Sequence, residues 1–153
     1  MAGLSGTRGD VLRKWCGAFG AIDHIAIAVE NIEQAIELFE KNLGLKLTRR
    51  EAVAGYDVET ATFAIGGTAI ELVEGKTEES AVRKFVQSRG PGIHHIAFAV
   101  DNIQTTIEAL EATGLQMIDK KPRRGKEGSL VAFVHPKSTQ KILYELVERA
   151  RPK

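Results

Sequence analysis

Apolar and polar residues alternate strictly in two stretches of the chain, and each stretch gives way to a helical spacing. From His24 to Val29, Ile25, Ile27 and Val29 fall on one side, with His24, Ala26 and Ala28 on the other. From His95 to Val100, Ile96, Phe98 and Val100 oppose His95, Ala97 and Ala99. Period two with β-branched residues predicts a strand in each place. The bulky side suits packing under a helix, and the small side with a histidine at its head suits the lining of a cavity.

Helices are expected next. Ile32, Ile36, Phe39 and Leu43 recur at helical spacing behind Asn31, which with Gln34 resembles a capping box. Ile103, Ile107 and Leu110 repeat the pattern behind Asn102, and Gly114 stands where a helix-closing left-handed residue is often needed. Extended segments are predicted at about 45–51, 58–65 and 68–74, and again at about 115–120, 128–134 and 141–148. Val82, Phe85 and Val86 give a linker helix over about 77–87 its apolar stripe, and Pro91-Gly92 marks the restart.

The chain therefore contains itself twice. IDHIAIAVENIEQAIELFEKNLGLKL aligns with IHHIAFAVDNIQTTIEALEATGLQM, and each copy ends in a segment containing Glu-Leu-Val-Glu. The expected fold is α+β: two tandem βαβββ modules, about 22–75 and 93–148, forming a curved, mostly antiparallel sheet around a cleft. Of the 153 residues, 21–150 are expected to make a single domain, preceded by an extension over 1–20. That extension is Gly-rich and lacks a sustained apolar core, so it is no secretory signal. It is expected to pack locally through Leu12, Trp15 and Phe19.

Composition narrows the function classes. With 21 Lys and Arg against 20 Asp and Glu, the net charge of +1 gives no general attraction to nucleic acid or an anionic membrane. No apolar run reaches the roughly 18 residues of a membrane-spanning helix. Cys16 is the only cysteine, which excludes an internal disulfide. Specificity must therefore come from a local site.

Two copies of one unit usually pack with approximate two-fold symmetry, so equivalent residues can face one another. His24 is equivalent to His95, and Glu71 to Glu145. Each histidine heads a first strand and each glutamate lies in a last strand, on the sides that alternation makes concave. Two imidazoles and two carboxylates form a mixed N/O donor set suited to one divalent ion such as Co²⁺, Mn²⁺, Ni²⁺, Fe²⁺ or Zn²⁺ rather than Ca²⁺. His94 is expected on the opposite face as a structural residue, and Glu74 and Glu148, three positions past the glutamates, as solvated.

The motifs IDHIAIAV, TAIELVE, GIHHIAFAV and FVHPKS followed by ILYELVE resemble the vicinal oxygen chelate, or glyoxalase, superfamily, and within it the methylmalonyl-CoA epimerase family. The likeness spans about residues 22–147. It implies a metal site at His24, Glu71, His95 and Glu145, with Co²⁺ as the favoured ion, and epimerisation of a methylmalonyl thioester at C2 through a metal-stabilised enolate. It also implies a CoA-thioester substrate, a homodimer, and a cytoplasmic enzyme, or one of the mitochondrial matrix in a eukaryote.

Glu145 occupies the family's ligand-plus-base position. For the opposite face, some relatives carry a glutamate where Thr60 stands here, and Thr60 is expected to face the substrate. Either Glu59 reaches in through a shift of register, or a water or another group serves that face. In KKPRRGKEG, Lys121 and Arg124 are candidates for CoA phosphates, and Lys137 and Ser138 of HPKS for the substrate carboxylate. Two rival readings are a glyoxalase-type isomerase or lyase acting on a thiol adduct, and a non-catalytic protein of the same fold that sequesters a ligand.

Overall fold

The computed structural model describes residues 19–152. The proposed packing of Leu12 and Trp15, like Cys16, lies outside them. The elements follow the predicted double order: β1 (Phe19–Ala28), α1 (Ile32–Glu37), β2 (Arg49–Val53), β3 (Val58–Ile65) and β4 (Thr68–Gly75), then α2 (Ala81–Arg89), β5 (Gly92–Val100), α3 (Ile103–Ala112), β6 (Arg123–Arg124), β7 (Leu130–Val134) and β8 (Tyr144–Glu148). This is an α+β chain. Chain contacts divide it into two units, Ile22–Ala97 and the stretch from Phe98 onward together with the start of β1.

In the first unit the strands run in the order β2-β3-β4-β1-β5. β1 and β4 are parallel, with Ala26 opposite Glu71 and Ala28 opposite Val73. β3 is antiparallel to β4, with Thr60 opposite Val73 and Thr62 opposite Glu71, and β2 is antiparallel to β3, with Glu51 opposite Thr60. Side chains directly opposite share a face, so Glu51, Thr60, Thr62, Glu71, Val73, Ala26 and Ala28 all lie on the His24 side. The other side carries Ala61, Phe63 and Leu72, which bury Ile32 and Ile36 of α1 together with Ile27 and Val29.

The small-residue face is not open along its whole length. Ala26 and Ala28 are fully buried in a cluster with Val58, Val73 and Val82, and Phe85 and Val86 of α2 close over it. The linker helix thus covers one end of the face expected to line a cavity.

Asn31 and Asn102 cap their helices as predicted, their side-chain oxygens accepting from Gln34 N–H at 3.0 Å and Thr105 N–H at 2.9 Å. After Glu37 the first helix widens into a π-helical turn over Leu38–Asn42, so the apolar spacing read as one α-helix belongs to two helix types. The linker helix begins later than expected because Ser80 supplies its N-cap.

In the second unit the order is β5-β8-β7-β6, and α3 packs Ile103, Ile107 and Leu110 against Val134 and Leu146. Gly114, at φ 96°, follows the end of α3. The strand expected over 115–120 is reduced to one bridge between Met117 and Val134, and the edge strand forms at Arg123–Arg124. Polar contacts intervene: Ser138 Oγ accepts from Gln116 N–H at 3.1 Å, and an Asp119 carboxylate oxygen accepts from Phe133 N–H at 2.9 Å. Side-chain acceptors thus take up N–H groups at this edge that continuous strand pairing would otherwise need.

Glu74 and Glu148 are not solvated bystanders. Glu74 Oε2 accepts from Ile32 N–H at 2.9 Å, and Glu148 Oε2 accepts from Ile103 N–H at 2.8 Å. Each last strand therefore holds the first turn of its own module's helix by a charge-assisted bond. Among the described residues no helix is long and apolar enough to cross a membrane.

Candidate metal and active site

His24 and His95 stand on the neighbouring strands β1 and β5, and both are buried. Their Nε2 atoms are 3.3 Å apart. Two nitrogens each about 2.1 Å from one ion, at 90–110°, would be about 3.0–3.4 Å apart. The far side of each ring is also held: Asp23 Oδ1 lies 2.7 Å from His24 Nδ1, and His94 Nδ1 lies 2.8 Å from His95 Nδ1. A carboxylate at Nδ1 keeps the proton there and turns the Nε2 lone pair toward its partner, the arrangement metal-ligating histidines use.

The residue before each histidine thus contacts its ring; sequence reasoning passes over Asp23 and takes His94 as a structural residue of the opposite face. Strand alternation assigns His94 to the opposite face, yet it bonds to His95 and meets the Phe85 ring edge-on at 5.0 Å. The repeat itself held the missed signal, since Asp23 and His94 are equivalent residues in the two copies.

Glu71 is buried on β4, on the His24 face and directly opposite Ala26. In the second unit Glu145 is buried on β8 opposite Phe133, and the adjacent Tyr144 stacks on Phe98 of β5 with centroids 5.4 Å apart. The first unit thus offers two buried imidazole donors of the kind a divalent ion takes, and the second unit a buried carboxylate.

Glu59 keeps its register and does not turn toward this face. It lies with Ala61 and Phe63 on the helix side, where Arg50 Nε donates to its carboxylate at 2.6 Å and Lys76 stands 3.5 Å away. The Arg50 hydrogen bond holds the Glu59 carboxyl below its ordinary value, against a smaller opposing effect of burial. A charge-neutralised carboxylate on the wrong face is not placed to move a proton beside His24, which corrects the first of the two alternatives for the second face.

Thr60 is almost fully buried on the His24 face, its hydroxyl donating to Glu51 C=O at 3.5 Å. Lys121 and Arg124 are exposed, Arg124 opposite Leu130 on the β6 edge. Lys137 is exposed, with its backbone N–H donating to His135 Nδ1 at 3.1 Å. Ser138 Oγ donates to His135 C=O at 3.0 Å as well as accepting from Gln116 N–H, so it staples the turn.

Residues 23–133 match the glyoxalase/bleomycin resistance protein/dioxygenase superfamily, and the chain belongs to that superfamily. Within it, the relatives place the chain in the methylmalonyl-CoA epimerase family of isomerases. It is 31% identical over 131 residues to the mitochondrial methylmalonyl-CoA epimerase of Dictyostelium discoideum, covering 85% of this chain and 79% of that protein. It is 39% identical over 127 residues to the uncharacterised protein YqjC of Bacillus subtilis, covering 83% and 91%. A solved variant of the Streptomyces coelicolor methylmalonyl-CoA epimerase in complex with 2-nitronate-propionyl-CoA superposes with a TM-score of 0.83 at 30% identity, covering 88% of this chain and 98% of that one.

Proposed function

We propose that the protein epimerises methylmalonyl-CoA at C2, with a divalent ion, Co²⁺ for preference, held by His24, Glu71, His95 and Glu145. The observation that carries the reading is the histidine pair, with facing Nε2 atoms 3.3 Å apart and each Nδ1 engaged by the preceding residue. Chain continuity supports adding Glu145: three residues beyond His95 on β5, Phe98 stacks on Tyr144, the residue before Glu145. When bound, the ion supplies Lewis acidity that lowers the pKa of a carbon acid beside a thioester carbonyl.

The chain's own residues do the rest. Asp23 and His94 fix the two imidazoles so that little reorganisation is needed on binding. The Glu145 carboxylate takes the proton from C2 on one face, and a protonated group on the other face returns one, so that the configuration inverts and protons balance. The basic loop through Lys121 and Arg124 offers exposed cations for CoA phosphates, and Lys137 stands in the turn proposed to meet the substrate carboxylate. A CoA-thioester substrate places the protein where such thioesters are handled, the cytoplasm or a mitochondrial matrix, and the active species is expected to be a homodimer.

The test is to load the purified protein with Co²⁺ and incubate it with methylmalonyl-CoA in D₂O. Deuterium entering C2 with loss of configuration supports the reading. No exchange, with turnover of a hemithioacetal instead, makes the protein a glyoxalase-type isomerase. Failure to bind any divalent ion makes it a sequestering protein.

A further inference from the structure

We propose that Glu51 provides the acid/base carboxylate for the second face of C2, in the place of the glutamate that the resemblance puts at Thr60 in some relatives. The inference rests on the epimerase reading above. It is carried by the register of three strands. Glu51 on β2 is directly opposite Thr60 on β3, Thr60 is opposite Val73 on β4, and Glu71 lies two residues before Val73, opposite Thr62. Directly opposed residues project to the same side with Cβ atoms about 4.5–5.5 Å apart. Glu51 is therefore the carboxylate one strand out from Thr60, on the face that holds His24 and Glu71.

Residue size completes the geometry. Thr60 is short and its hydroxyl is turned to the Glu51 backbone carbonyl, at 3.5 Å. A glutamate on the neighbouring strand is long enough to lean across it. One oxygen of the Glu51 carboxylate, Oε1, is buried, while the other, Oε2, lies 3.8 Å from Arg49 Nη1. Glu59, the adjacent acid in sequence terms, is committed to Arg50 and Lys76 on the opposite face. A carboxyl moved one strand sideways thus keeps the chemistry that the Thr60 position lacks. In the reaction the Glu145 carboxylate accepts the C2 proton while the Glu51 carboxyl O–H breaks to form the new C–H bond. In the reverse direction the two exchange roles.

The experiment compares wild type, Glu51→Gln and the double variant Glu51→Gln/Thr60→Glu, each loaded with Co²⁺, following epimerisation and C2 deuterium uptake separately for the two epimers. Loss of one general acid/base should lower epimerisation by about 100-fold or more. Glu51→Gln should still wash out the proton of the one epimer that Glu145 faces, with retention, and bind Co²⁺ as wild type does. Thr60→Glu in the same background should restore inversion in part. Epimerisation by Glu51→Gln within about threefold of wild type, well short of the acid/base magnitude, overturns the assignment. So does equal loss of exchange from both epimers without rescue. Wild type that exchanges neither epimer overturns the epimerase reading itself, and this inference falls with it.

Discussion

The carboxylate of Asp23 lies 2.7 Å from Nδ1 of His24, and the same atom of His95 is met at 2.8 Å by a neighbouring histidine rather than an acid. The two halves of the pair are thus oriented by different chemistry. An anionic partner raises the basicity of the imidazole it holds, and loss of such a partner typically lowers metal affinity by about 10–100-fold. Asp23→Ala should weaken Co²⁺ binding by that order, while His94→Ala should weaken it less. Calorimetric titration of the apo protein measures both, and equal effects would show that charge at Nδ1 contributes nothing here.

Truncating the histidines themselves separates site from scaffold. His24→Ala and His95→Ala should each abolish stoichiometric ion binding, measured by elemental analysis after gel filtration. The far-ultraviolet circular dichroism should stay native, because the helix-packing clusters around Phe63 and Ile107 do not include either ring. Adding the ion should then raise the melting temperature of wild type but not of either variant.

The last-strand glutamates make a matched pair of predictions. Glu74→Ala and Glu148→Ala each remove an acceptor from a helix N-terminus, at Ile32 and Ile103. Each should cost about 1 kcal/mol by denaturant unfolding, in the range of other cap losses. Glutamine should recover part of this in both, since it keeps an acceptor oxygen without the charge.

These contacts also mark the limit of what the chain discloses before folding. Asn31 and Asn102 act within three residues of themselves, so their caps are legible in the sequence. Glu74 and Glu148 act across more than forty residues, and alternation gives the face of a side chain but not what arrives above it. The histidines and glutamates of the proposed metal site are legible for a different reason, because the repeat puts like residues in like places. The strand expected over 115–120 fails where apolar residues are interrupted by N–H groups already taken by Ser138 and Asp119. Glu51 is hidden until the register of β2 is known.

Arg50 ties Glu33 and Glu59 together, and its hydrogen bonds hold both carboxyls below their ordinary value of 4.5. A folded-state value below the unfolded one contributes stability that is complete above the unfolded value and lost as pH falls through the folded one. Wild type should therefore lose stability as acid is added below about pH 4.5, and Arg50→Gln should show a shallower acid limb over the same interval. The difference should shrink in high salt, because Glu33 is exposed. Parallel acid limbs for the two proteins at low salt would remove Arg50 from the account.

Gly75 ends β4 immediately after the capping Glu74, and Arg149 stands at the equivalent place in the second copy. The glycine has a packing cause. A Cβ on Gly75 would lie 2.5 Å from Arg83 N and 2.7 Å from Ser80 Oγ, at the start of the linker helix α2. One of those atoms is backbone, so relief requires the helix to move. Ser80 is also the N-cap of that helix, its hydroxyl oxygen accepting from Arg83 N–H at 3.5 Å, and movement would loosen the cap as well. Gly75→Ala should therefore destabilise by about 1–3 kcal/mol, the usual range for overpacking. Gly67→Ala is the control, because its added methyl meets nothing within 4 Å. It should be neutral, or stabilising by about 0.4–1 kcal/mol through the unfolded chain. Thermal unfolding of the two variants side by side decides the matter: equal melting temperatures would mean that α2 is not held against Gly75 at all.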